Sequence, residues 1–65
     1  MKTLDDLKNK KVIPFEKYSH NGNTVIYYPE TMIRSKHYRL LGIEGAGYCR
    51  TKKAALKFLN DGIIY

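Results

Sequence analysis

Apolar positions along this chain fall into three patterns, each predicting a different element. Between Thr51 and Gly62 they recur at helical spacing, with Ala55, Phe58 and Leu59 on one face and Lys53 and Lys57 opposite. Thr51 suits the N-cap, where its hydroxyl can accept from a free amide of the first turn. Gly62, after Asn60 and Asp61, suits a left-handed C-terminal position. Residues 47–50, just before this helix, read as a short strand, so the end of the chain is a strand–helix unit.

The second pattern is weaker. Residues 3–10 predict a helix of about two turns, with Leu4 and Leu7 as its apolar contacts and Thr3 and Asp6 spaced as an approximate capping box. Asp5 and Asp6 favour the positive end of the helix dipole, and Lys8, Lys10 and Lys11 the other end. A helix this short needs something to dock on.

The third pattern is β-branched and aromatic. Thr24-Val25-Ile26-Tyr27-Tyr28 predicts a strand, ended by Pro29. Residues 12–18 are strand-like too, although Pro14 cannot donate to a ladder and so marks an edge or an interruption. Asn21-Gly22 between them suits positive φ and predicts a hairpin turn. Residues 29–44 read two ways. A helix would place Met32, Ile33, Leu40 and Leu41 on a face. A strand from His37 to Ile43 would put Tyr38 and Leu40 on one side and Leu41 and Ile43 on the other, leaving 29–36 as a charged loop. Tyr38, the two leucines and Ile43 before the glycine-rich turn favour the strand. The apolar end, Ile63-Ile64-Tyr65, is expected to pack on the sheet or on a second subunit, which makes a homodimer a candidate assembly.

The expected architecture is therefore α+β: an antiparallel sheet of three to four strands, a short N-terminal helix, and a C-terminal helix packed on one face. With 65 residues the chain is expected to form a single domain with a thin core, worth about 3–5 kcal/mol. Its one cysteine, Cys49, has no intrachain disulfide partner and reads as a small core residue. The first residues lack the apolar run of a signal peptide, and no stretch reaches the about 20 apolar residues of a membrane span. A cytoplasmic protein without membrane association is the expectation.

Charge changes the picture most. Twelve Lys and Arg face six Asp and Glu, for a net +6. Residues 29–53 hold Arg34, Lys36, Arg39, Arg50, Lys52 and Lys53 against only Glu30 and Glu44. Such a concentration suits nucleic acid or an acidic protein surface. Arg50-Thr51-Lys52-Lys53 places cations beside the free amides of a helix start, a reasonable contact for phosphate. Arg34-Ser35-Lys36-His37-Tyr38-Arg39 interleaves cations with an aromatic, as phosphate contact combined with base stacking requires. Tyrosine supplies six of the eight aromatics, and Tyr27, Tyr28 and Tyr38 are candidates for a protein interface.

Other chemistries find little support. The run Gly42 to Gly47 is followed by no Lys-Ser/Thr and is not a phosphate loop. His20 and His37 have no acid at ligand spacing, so neither a metal nor another cofactor is expected. No Ser–His–Asp or paired-carboxylate arrangement can be argued, and an enzyme is not expected. The outline of a three-stranded sheet followed by one helix is similar to the N-terminal arm-binding domains of tyrosine recombinases. That likeness is one of architecture and carries no residues across. Two functions follow as expectations: a DNA- or other nucleic-acid-binding accessory or regulatory module, and a small modulator of phage or mobile-element type that binds one host protein.

Overall fold

The computed structural model describes residues 2–43 and 45–62. Chain order is β1 (Lys2–Thr3), α1 (Leu4–Asn9), β2 (Lys17–His20), β3 (Asn23–Tyr28), β4 (His37–Leu41), β5 (Ala46–Cys49) and α2 (Lys52–Asp61). The strands form one sheet in the order β1-β2-β3-β4-β5. β1 runs parallel to β2, and the remaining neighbours are antiparallel. The sheet is thus mixed and five-stranded, not antiparallel with three to four strands. The extra strand is β1, whose two residues are too few to show any periodicity.

Local chemistry accounts for the elements. The Asp6 carboxylate reaches back to accept the Thr3 N–H at 3.0 Å and starts α1. That backbone hydrogen bond holds the Asp6 carboxyl below its ordinary range, helped by Lys10 at 3.4 Å. Thr51 Oγ1 accepts from the Ala54 N–H at 3.2 Å to start α2, and Gly62 closes it at φ 76° with its N–H on the Phe58 carbonyl. Asn21 and Gly22, at φ 50° and 82°, form the two-residue turn between β2 and β3. Both conformations are left-handed, which suits Asn and Gly and few other residues.

One expected strand is much shorter than its apolar run. Residues 12–16 leave the ladder: Pro14 and Phe15 form a turn, and Phe15 adopts φ 65°. The Phe15 N–H still reaches the Tyr27 carbonyl at 2.8 Å, and the Ile13 N–H donates to the Tyr18 hydroxyl at 3.0 Å. Regular pairing starts only at Lys17. In the ambiguous stretch the strand wins, as His37–Leu41, and residues 29–36 form the loop before it. The expected packing of 63–65 lies outside the described residues.

Register sorts the sheet residues onto two faces. Tyr18, Val25, Leu40 and Gly47 stand in one cross-strand row, and Tyr27, Tyr38 and Cys49 in another on the same side. Both helices cover this side. Leu7 from α1 and Ala55, Phe58 and Leu59 from α2 join Tyr18, Val25, Tyr38 and Leu40 in the buried core. The opposite rows are Lys17–Ile26–Arg39–Tyr48, Ser19–Thr24–Leu41–Ala46 and Tyr28–His37. Among the described residues no helix packs on that face.

Candidate functional site

The uncovered face gathers side chains that alternation places there. In β4, Tyr38 and Leu40 point into the core, so His37 and Arg39 must point out. In β5, Cys49 packs against the core, leaving Tyr48 outward, and Arg50 follows two residues later. Together with Arg34 and Ser35 from the preceding loop, these residues line a groove of about 650 Å³ floored by Ala46 and Gly47. Small residues in β5 leave it room.

Two features of the groove bear on ligand chemistry. The first is charge. Arg34, Arg39 and Arg50 all line it, and no described carboxylate pairs with any of them. None of the five strands carries Asp or Glu. The second is an aromatic row crossing the strands. Tyr28 stacks on His37 with centroids 5.1 Å apart and planes 12° apart, and Tyr48 meets the His37 ring edge-on at 6.3 Å. Phe15 continues the row, edge-on to Tyr28 at 5.6 Å. Phe15 and Tyr48 are each 66% exposed. The His37 Nδ1 lies 3.1 Å from the Ser35 carbonyl. A carbonyl can only accept, so Nδ1 is the donor in this contact.

The six cations singled out from sequence separate. Arg34, Arg39 and Arg50 converge on the groove. Lys36 is exposed in the loop but does not line it, and Lys52 and Lys53 belong to the first turn of α2. The tyrosines separate too. Tyr27 and Tyr38 pack ring to ring, centroids 5.0 Å apart, on the helix-covered side. Tyr38 is buried, which pushes its phenol pKa up. Of the three, Tyr28 alone faces outward, because neighbours along a strand take opposite sides.

The sequence picks out His37 only within the basic Arg34–Arg39 stretch and Tyr48 only as one of six tyrosines, and it gives Phe15 no functional role. The alternation of His37 with Tyr38 and the two-residue spacing of Tyr48 and Arg50 were the available signals. Cys49 packs against the core and its Sγ lies 3.5 Å from the Thr51 carbonyl. Burial raises its thiol pKa, so the thiolate a nucleophile needs is disfavoured.

A second exposed feature adjoins the groove. Thr31 and Arg34 clasp each other, the Thr31 N–H donating to the Arg34 carbonyl at 2.8 Å and the Arg34 N–H to Thr31 Oγ1 at 3.1 Å. The turn so formed holds Met32 and Ile33 almost entirely in solvent, 104% and 92% exposed. Among the described residues no three His, Cys, Asp or Glu come together to hold a metal, and no helix is long and apolar enough to cross a membrane. The chain matches no protein-family model, and no curated protein or solved structure is significantly similar to it.

Proposed function

We propose that this chain is a nucleic-acid-binding module, accessory or regulatory in role, whose binding surface is the open face of the sheet. The observation that carries the reading is the groove itself, where three arginines without a carboxylate partner among the described residues stand beside an exposed tyrosine on strands free of acids. Guanidinium groups suit phosphate through bidentate hydrogen bonds, and an exposed ring offers a base something to stack on. The start of α2 is a secondary contact at most, since Lys52 and Lys53 do not line the groove.

The second reading, a modulator that binds one protein, is favoured by the Met32–Ile33 tip. Two apolar side chains held out by a hydrogen-bonded turn resemble the anchor of a protein interface. Salt separates the two readings. Three phosphate contacts give a slope of about −2.1 to −2.7 in log K against log salt, a loss of roughly 20- to 40-fold between 50 and 200 mM. A titration of labelled oligonucleotide across that range should show this loss. No oligonucleotide binding at 50 mM, with a protein complex insensitive to salt, would favour the second reading.

A further inference from the structure

We infer that the ligand of the open face is a single strand, held with a base against Tyr48 and its phosphates on Arg34, Arg39 and Arg50. The inference rests on the proposed nucleic-acid reading and narrows it. Width argues first. Neighbouring strands lie about 4.8 Å apart, so the backbones of β2 to β5 alone span about 14 Å. The major groove of a duplex is about 12 Å wide and admits a helix or a two-stranded ribbon. A sheet of this breadth meets a duplex only at its phosphates, whereas a single strand can lie across it.

The chemistry of the face argues second. Tyr28, His37 and Tyr48 place aromatic surface beside the arginines, while Ile26, between Lys17 and Arg39 in the register, is itself buried. Within a duplex the base faces are already stacked on each other, and such rings would find only sugar and phosphate. An unpaired strand offers base faces to the rings and phosphates to the cations together. The groove volume falls in the range of small-ligand clefts, about 300–1,000 Å³, which accommodates a nucleotide unit and not a helix. Phe15 adds to the case. Its φ of 65° is a strained conformation for a non-glycine residue, yet the ring it positions is exposed beside Tyr28 and outside the core.

The test compares labelled oligo-dT and oligo-U 12-mers with a blunt 12-base-pair DNA duplex, by fluorescence anisotropy at 100 mM salt. One or both single strands should bind at least tenfold tighter than the duplex, and the two arms show whether the sugar matters. Tyr48→Ala should weaken single-strand binding about tenfold, the loss of one stacked base. Tyr48→Phe should keep the wild-type affinity. Tyr48 lies exposed on an edge strand, and an unchanged thermal melt checks that the variants fold. A duplex bound as tightly as the single strands, or a folded Tyr48→Ala protein that binds them normally, would overturn the inference while leaving the broader reading in place. Binding to none of the three probes would remove both.

Discussion

Reversing two charges, as Arg39→Glu with Arg50→Glu, should lower nucleic-acid affinity at least 100-fold. Each side chain lines the groove and neither has a carboxylate partner among the described residues, so each substitution removes an attraction and adds a repulsion. A reversal costing about 1.4 kcal/mol is tenfold, and placing like charges together costs at least that. Stability should change little. Both residues are exposed, and exposed substitutions generally move stability by no more than about 0.5 kcal/mol. The paired control is Lys52→Glu with Lys53→Glu, which changes net charge equally but away from the groove. It should cost only the long-range part of the attraction, a few-fold, and that part should vanish with added salt. Equal losses from the two double variants, measured by anisotropy at 100 mM salt, would mean that net charge and not the groove governs binding.

Phe58→Ala should unfold the domain. Phe58 is 1% exposed and joins α2 to a core that also draws on α1 and three strands. Truncating a buried phenylalanine costs about 3–5 kcal/mol, and a core of this size supplies about 3–5 kcal/mol in total. No margin is left. Far-ultraviolet circular dichroism and urea titration at 25 °C should find most of the chain unfolded, with the wild type folded under the same conditions. A cooperative transition near the wild-type midpoint would mean that the core is much stronger than its size implies. Because α2 holds the sheet together from behind, nucleic-acid binding should be lost with the fold.

Much of this fold was legible in the residues that punctuate it. Thr51 and Gly62 bound α2, Asn21-Gly22 turns β2 into β3, Pro29 ends β3, and Thr3 with Asp6 opens α1. These are local devices, each expressed within a few neighbouring residues. What escaped is non-local or too short to be periodic. Lys2–Thr3 is a strand only because β2 lies beside it. Val12 and Ile13 look like strand residues, but the Phe15 turn diverts them, held by the Tyr27 carbonyl, the Tyr18 hydroxyl and its own Glu16 N–H to Ile13 carbonyl bond.

The site was legible in part for the same reason. Arg34 and Arg39 stood out as cations near an aromatic, yet the aromatic between Lys36 and Arg39 that lines the groove is His37 and not the buried Tyr38. Choosing between them requires knowing which side the helices cover. Leu40 settles β4, since it must go inward and takes Tyr38 with it. The joining of Arg50 to Arg39 depends on β5 pairing with β4 and on the Arg39–Tyr48 register, a long-range fact that spacing along the chain does not express.

The measurement that bears most directly on the account is a map of backbone amide shifts in 15N-labelled protein as oligo-dT is added. The open face predicts the largest changes at Arg34 to Arg39 and at Ala46 to Arg50, with Tyr28 also moving and Ala55, Phe58 and Leu59 nearly still. Changes concentrated at Thr51 to Ala54 and along α2, with His37, Arg39 and Tyr48 unmoved, would contradict it.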